Sequence, residues 1–194
     1  MSKRTEGIEL SSELIEKELK RVKHQKKNRK ILRETIFSLV IVAAVAVLVA
    51  MLLFPTFKVT GSSMQPTLES GEVVVCLKTS KFEVGDVIAF YYNNKVLLKR
   101  VIGSAGDIIE INENGDVFVN GSQLDEPYII NKSLGKCDIE FPYQVPDNRI
   151  FVMGDNRETS VDSRSTSVGC IADEYILGKV FFRIYPFDKL GSLK

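Results

Sequence analysis

The chain has 194 residues, with 26 Lys and Arg against 25 Asp and Glu, and its net charge is +1. This balance hides an asymmetry, because the first 33 residues carry 11 basic residues against 5 acidic ones. The three cysteines form no Cys-x-x-Cys motif and no cluster with the single histidine, so the sequence predicts neither a metal site nor a bound cofactor.

The first predicted element after this basic arm, residues 1–34, is a membrane-spanning helix. Residues 35–54 form a run of 20 residues without a charge or a proline. A helix of this length spans about 30 Å, the thickness of the hydrocarbon core of a bilayer. A buried core helix is the alternative, but the helices of soluble proteins rarely lack charge on every face.

The distribution of charge predicts the orientation of this span. Because basic residues favour the cytoplasmic side, we expect the arm to lie in the cytoplasm and residues 55–194, with a net charge of −4, to lie outside. The protein is then a single-pass protein of the cell membrane. The arm is also expected to contact anionic lipid, with nucleic-acid binding as the alternative for such a basic run.

Residues 55–194 have the pattern of one mainly β domain. The strands are predicted from segments rich in Val, Ile, Phe and Tyr, at 57–60, 72–78, 86–92, 95–102, 107–112, 116–120, 149–153 and 177–185. Asn93-Asn94 and Asn114-Gly115 are typical of hairpin turns, and such short connections favour antiparallel pairing. Residues 121–148 contain three prolines and are predicted to be a loop-rich insertion.

The cysteines all lie in this domain. Cys76 falls in an apolar run and is expected to be a small core residue. Cys137 and Cys170 could form a disulfide in an oxidising compartment, a question that the sequence leaves open.

Ser63 lies nine residues beyond the apolar run, in the serine segment, residues 61–68. Nine extended residues reach at most about 30 Å, so a nucleophile there would act close to the membrane surface. The usual base for a serine is histidine, but the single histidine, His24, lies in the basic arm. The remaining base that can activate a serine is a deprotonated lysine.

Lys99 is the lysine with the most suitable surroundings. In a strand, Leu97, Lys99 and Val101 share one face, which places the ammonium among apolar side chains. Burial disfavours the charged form and lowers the pKa of a lysine. The alternative is that Lys99 extends its head group from a half-buried strand into water.

A third group of candidates lies in the polar segment, residues 154–164, which follows a predicted strand. Loops in this position often carry function, although a solvated surface loop is the alternative. Ser160 could hydrogen-bond the lysine, and Asp162 and Arg164 could form an ion pair.

Together these residues resemble the type I signal peptidases, membrane-bound Ser/Lys proteases that remove signal peptides from exported proteins, in their Gram-positive form. The resemblance covers the chain after residue 34. It depends on four segments in order: residues 61–68, residues 84–90, Lys99-Arg100-Val101-Ile102-Gly103 followed by Gly106-Asp107, and residues 154–164.

The resemblance implies a role for each matched residue. Ser63 would be the nucleophile, Lys99 the general base and Ser160 the hydroxyl that orients the lysine. Asp162 and Arg164 would be the supporting ion pair. Met64 would pack near the substrate pocket. Gly61 occupies the position where some members carry an oxyanion-hole hydroxyl, so the hole here would depend on the Ser63 N–H and a second donor.

The resemblance also implies the substrates and partners. These are signal peptides cut after an Ala-X-Ala pattern, with the secretion translocon nearby. The rival interpretation is a membrane-anchored binding protein whose β domain has no catalytic activity. A self-cleaving Ser/Lys repressor is a further alternative, but residues 1–34 are too short and too charged to form its DNA-binding module.

Overall fold

The structure is a computed structural model, and it describes residues 12–193. The first element is a helix, α1, Ser12–Leu53. Within the described residues it is the one helix long and apolar enough to cross a membrane. Its last part is the predicted span, and Pro55 stops it because a proline disfavours helical geometry in the residue before it.

The helix begins much earlier than predicted. Residues 12–34 of the basic arm are helical, while residues 1–11 lie outside the described part. Glu, Lys and Leu favour helices, and charged pairs one turn apart add to this preference. Glu16 and Lys20 form one such pair at 2.9 Å. Residues 12–34 therefore favour a helix in spite of their high content of charged residues.

The rest of the chain is mainly β, as predicted. In chain order the strands are β1 Thr56–Lys58, β2 Val73–Leu77, β3 Val87–Tyr92, β4 Lys95–Gly103, β5 Ile108–Ile111, β6 Val117–Val119, β7 Ser122–Gln123, β8 Tyr143–Gln144, β9 Arg149–Met153, β10 Ile171–Ala172, β11 Ile176–Tyr185 and β12 Gly191–Ser192.

The strands form two sheets in which every described pair is antiparallel. The larger sheet has the order β1-β2-β11-β3-β4-β9-β10, with β12 paired to β11. The smaller sheet has the order β7-β6-β5-β8. The predicted antiparallel fold class is therefore confirmed.

The predicted hairpin turns are present because their residues accept positive φ. Asn93 and Asn94, with φ of 44° and 62°, connect β3 to β4. Gly115 has φ of 83° in the turn before β6. Asn120 and Gly121 form a further turn, before β7, that the sequence analysis missed although it carries the same signal.

The prediction missed the four shortest strands, β7, β8, β10 and β12, each of two residues. Such strands are too short to show an alternation of apolar and polar residues. Two of them, β7 and β8, lie in the predicted insertion at 121–148 and pair with the smaller sheet. Between them, residues 124–142 contain no helix or strand.

Buried side chains link the two sheets. Ile109, Ile111 and Val117 of the smaller sheet pack in one cluster with Phe151 and Met153 of β9. The cysteines are all free thiols. Cys76 is fully buried, as predicted. Cys137 and Cys170 are not paired, and the Cys170 thiol lies 3.8 Å from the Tyr143 hydroxyl.

Phe151 provides a test of this core, because its side chain is fully buried between the sheets. We expect Phe151→Ala to lower the free energy of unfolding by about 3–5 kcal/mol, as for other buried phenylalanines. Phe187→Ala, at a residue 80% exposed, removes the same atoms and should change it by less than about 0.5 kcal/mol. Denaturant unfolding of the full-length protein in detergent would compare them, and equal losses would contradict this account of the core.

Candidate active site

Ser63 lies in a turn whose neighbouring residues are anchored in the core. The serine segment connects β1 to β2, and Met64 and Leu68 are buried in one apolar cluster with Val59 and Val74. The Leu68 N–H donates to the Met64 carbonyl at 2.9 Å. Ser63 itself stays partly exposed, so its hydroxyl is held on a rigid turn but remains accessible.

A cleft of about 350 Å³ adjoins Ser63 and is called here the edge cleft. It is lined by residues 57–61, by Ser63 and Met64, and by residues 95–98. β1 ends the larger sheet, so its outer edge has no partner strand among the described residues. β9 pairs with β4 only from Arg100 onward, which leaves the same edge open over residues 95–98. The edge cleft is therefore flanked by two strand edges that can accept an extended peptide.

Lys99 lies on β4, directly beyond the open part of that strand. Its cross-strand partner is Ile88, which belongs to a buried cluster with Val101, and Leu97 packs against this cluster. The apolar setting predicted for Lys99 is thus present, and the residue is only 3% exposed.

Burial lowers the pKa of Lys99 to about 8. Three charged groups modify this effect: Asp162 raises the pKa, Arg164 lowers it and Asp155 raises it. The sequence analysis anticipated the apolar neighbours but not these charges. A lysine with this pKa is neutral in a useful fraction of molecules near neutral pH, which a base requires.

Asp162 and Arg164 form the predicted ion pair. Arg164 donates through Nε to Oδ1 at 2.8 Å and through Nη2 to Oδ2 at 2.9 Å, and both side chains are fully buried. Asp162 also accepts the Gly154 N–H at 2.9 Å. Burial acts to raise the pKa of Asp162. The hydrogen bonds and charge of Arg164, the nearby Ser160 hydroxyl and the Gly154 N–H together outweigh burial and hold the pKa below its usual range.

Gly154 is the point where the serine segment meets the polar segment. A Cβ on Gly154 would collide with Ser160 Oγ and would lie 2.5 Å from the Ser63 carbonyl oxygen. Asn156, two residues after Gly154, donates its N–H to the Ser63 carbonyl oxygen at 3.0 Å. Only glycine allows this approach, so Ser63 and Ser160 are brought together by the absence of a side chain.

The Ser160 hydroxyl differs from the prediction. It is fully buried, yet it has no hydrogen-bond partner within residues 12–193, so the expected bond to Lys99 is not formed. It lies near the Asp162 carboxylate without meeting hydrogen-bond geometry. The hydrogen bonds of the described residues also include none between Ser63 and Lys99. Catalytic hydrogen bonds often tighten only when substrate is bound.

Gly61 has φ of +88°, and the space that a side chain would occupy is open. The left-handed conformation favours glycine at this position. No side-chain hydroxyl is therefore available here for an oxyanion hole, as the sequence analysis predicted.

Two further buried ion pairs were missed by the sequence analysis. Arg100 donates to Asp155 through Nε at 2.8 Å and through Nη2 at 2.6 Å, and Thr67 donates to the same carboxylate at 2.5 Å. Arg157 pairs with Glu126 of the insertion. A signal existed for the first pair, since Arg100 follows Lys99 in a segment of otherwise apolar residues and so needed a buried partner.

The buried arginines connect β4, the polar segment and the insertion. Arg164 donates to the Leu134 carbonyl at 2.7 Å and to the Arg157 carbonyl at 3.0 Å. The Tyr128 ring lies 3.8 Å from the Arg100 guanidinium carbon. The insertion therefore completes the walls around Arg100 and Arg164 and supports the residues beneath Ser63.

Comparison with known proteins gives the family. The model of the signal peptidase family, peptidase S26, matches residues 32–185. The chain belongs to the signal peptidase family. It is 37% identical to signal peptidase I S of Bacillus subtilis, over 79% of this chain and 89% of that protein. It is 35% identical to signal peptidase IB of Staphylococcus aureus, over 83% of this chain and 93% of that protein.

A signal peptidase I of Enterococcus faecalis is a similar solved structure, with a TM-score of 0.42 and 28% identity over 51% of this chain and 96% of that one. The sequence relatives establish this signal peptidase as a serine peptidase that removes signal peptides from preproteins. Its long apolar helix is in keeping with a membrane anchor.

Gly154→Ala tests the packing of the two segments against each other. The added methyl would displace the Ser63 backbone or Ser160, and a displacement of about 1 Å can cost about a hundredfold in rate. We expect kcat/KM for a precursor peptide to fall by about this factor. Gly191→Ala is the matched control, because a Cβ there meets nothing within 4 Å. Equal activity of the two variants would show that the close approach at Gly154 is not required.

Proposed function

We propose that this signal peptidase cleaves by a Ser63–Lys99 dyad and cuts after small residues in an Ala-X-Ala pattern. The observation that carries the proposal is the burial of Lys99, the residue that follows Leu98 of the edge cleft in the chain, which lowers the pKa of its ammonium to about 8. Histidine is not available in the proposed topology, because the single histidine, His24, precedes the apolar span and so lies on the cytoplasmic side. In the proposed dyad, neutral Lys99 is the base and Ser63, on its rigid turn, is the nucleophile.

The proposed reaction has two steps. Neutral Lys99 accepts the proton of Ser63 Oγ, which attacks the carbonyl carbon of the last signal-peptide residue. The C–N bond breaks as Lys99 returns the proton to the leaving amine, and an acyl-enzyme remains. Lys99 then takes a proton from water, which attacks the ester carbonyl. The bond between the acyl carbon and Ser63 Oγ breaks as Lys99 returns the proton to Oγ, and the signal peptide leaves as a free carboxylate.

The remaining residues act by position. Asp162 and Arg164 hold the Gly154 end of the polar segment, and Ser160 is proposed to orient the Lys99 amine once substrate is bound. The Ser63 N–H and a second donor stabilise the oxyanion, since Gly61 has no hydroxyl to offer. Met64 forms part of the floor of the edge cleft.

The edge cleft explains the expected specificity. An extended signal-peptide end can add its backbone to the open edges of β1 and β4, as in other cases of strand addition. Side chains of a strand alternate between faces, so residues −1 and −3 point the same way. A cleft of about 350 Å³ shared by two side chains and the peptide backbone favours small ones.

We further propose that the basic arm is cytoplasmic and the β domain is extracytoplasmic, in accordance with the positive-inside tendency. The arm then contacts anionic lipid, and Ser63 acts close to the outer membrane surface, near the secretion translocon. This arrangement places the active site where an exported chain emerges with its signal peptide still in the bilayer.

Replacing either dyad residue tests the mechanism. We expect Ser63→Ala and Lys99→Met to reduce cleavage of an Ala-X-Ala precursor by at least about 10³-fold, because each removes a participant in bond cleavage. Ser62→Ala changes the exposed serine that precedes Ser63, and Lys81→Met changes an exposed lysine that does not line the edge cleft, so both serve as controls. Wild-type activity in either dyad variant would show that the replaced residue is not the nucleophile or the base.

The pH dependence tests Lys99 separately. Since protonated Lys99 cannot accept a proton and its pKa is lowered to about 8, kcat/KM should rise about tenfold per pH unit below this value and level off above it. A peptide without ionisable side chains near the cleavage site should be assayed from pH 5.5 to 10. A profile that is flat across this range would exclude Lys99 as the base.

A further inference from the structure

A second cleft is also lined by residues of the serine segment. It has a volume of about 280 Å³ and is lined by residues that follow the nucleophile and by residues of the polar segment and the insertion. Its lining consists of Gln65, Pro66, Glu69, Ile130, Asn131, Asp155, Asn156 and Glu158. We call it the forward cleft.

The forward cleft and the edge cleft are lined by consecutive residues of the serine segment. Ser63 and Met64 line the edge cleft, and the next two residues, Gln65 and Pro66, line the forward cleft. Asn156 of the forward cleft donates its N–H to the Ser63 carbonyl at 3.0 Å. A peptide that lies in the edge cleft and passes Ser63 must continue beyond it, and the forward cleft is a concave surface at that point.

The charges of the forward cleft are all of one sign. Its lining includes three carboxylates and no Lys or Arg. Asp155 is neutralised by Arg100, and Glu69 by Lys189 at 2.9 Å. Glu158 is exposed and takes part in no ion pair within residues 12–193. Glu158 is therefore the uncompensated charge that a bound peptide would meet.

We propose that the forward cleft binds the first residues of the mature protein, on the amine side of the scissile bond, and that Glu158 disfavours acidic residues there. This inference rests on the proposed function, because it takes Ser63 as the point of cleavage. The occupant is fixed by covalent continuity: a chain whose signal-peptide end fills the edge cleft has its mature end next to Gln65 and Pro66. Like charges oppose binding, so a mature segment with Lys near its start should be cut faster than one with Glu.

The test compares peptides that share an Ala-X-Ala site and differ only at position +2, which carries Lys, Gln or Glu. The full-length enzyme in detergent is assayed, and the ratio of kcat/KM for the Lys peptide to that for the Glu peptide is measured. Because each ratio comes from one enzyme preparation, differences in the folded fraction cancel. We expect a wild-type ratio of about two to five, the range for exposed charge pairs.

Two variants and one control identify the residue responsible. Glu158→Gln should bring the ratio close to one, and Asn131→Lys, at an exposed position of the same cleft, should bring it to or below one. Glu174→Gln removes an exposed carboxylate that lines neither cleft and should leave the ratio at the wild-type value. Raising the salt concentration to about 1 M, where charges are screened within about 3 Å, should also reduce the wild-type ratio.

The outcomes separate this inference from the proposed function. Cleavage that depends on Ser63, with a ratio that Glu158→Gln does not change, would overturn the forward cleft and leave the dyad standing. The same ratio can be measured for peptides that carry Lys or Glu at position −2. If Glu158→Gln changed the ratio at −2 and not at +2, the peptide would bind in the opposite direction, and the inference would be overturned. Cleavage that persists in Ser63→Ala would overturn both proposals.

Discussion

The active site depends on keeping three arginines charged in the absence of water. Arg100, Arg157 and Arg164 are at most 1% exposed, and a buried guanidinium is very costly unless a carboxylate and further acceptors surround it. Each arginine has its own carboxylate, and Arg164 also donates to carbonyls of the insertion and of the polar segment. The carboxylates and carbonyls come from segments far apart in sequence. Satisfying the arginines therefore fixes the polar segment against the insertion and against β4, and with them the surroundings of Gly154 and the serine segment.

Lys99 and Arg100 are consecutive and both buried, but their surroundings favour different protonation states. Arg100 has a bidentate carboxylate and remains charged, as arginine does in proteins. The carboxylates of Asp162 and Asp155 favour the charged form of Lys99, but the effect of burial is larger and favours the neutral amine. The alternation of a strand makes this possible, because neighbouring residues point to opposite faces. One face thus holds a cation in a fixed ion pair, and the other holds a lysine of lowered pKa, which the proposed mechanism uses as its base.

The parts of the fold that the sequence predicted are those with a local signal. The hairpin at Asn93-Asn94, the long strands and the apolar span each follow from residues close together in the chain. The helical structure of residues 12–34 was not predicted, although their Glu, Lys and Leu residues favour a helix. The pairs of Arg100 with Asp155 and of Arg157 with Glu126 join residues 55 and 31 positions apart. The alternation of apolar and polar residues along the chain does not predict a contact between residues so far apart. A charged residue inside an apolar strand indicates only that a partner must exist. Ser160 shows the converse, since a plausible local role did not produce the expected hydrogen bond.

The open edges of β1 and β4 have a consequence for the range of proteins this peptidase can serve. A strand edge binds through N–H and C=O groups, which every extended peptide presents alike, and most proteins protect such edges because they attract unwanted strands. Binding by the backbone carries little information about sequence. Under the proposed mode of binding, discrimination comes from exclusion of side chains too large for the edge cleft and of segments unable to become extended. An enzyme that selects substrates by excluding large side chains, and not by recognising a particular sequence, can accept many different exported proteins at one small site.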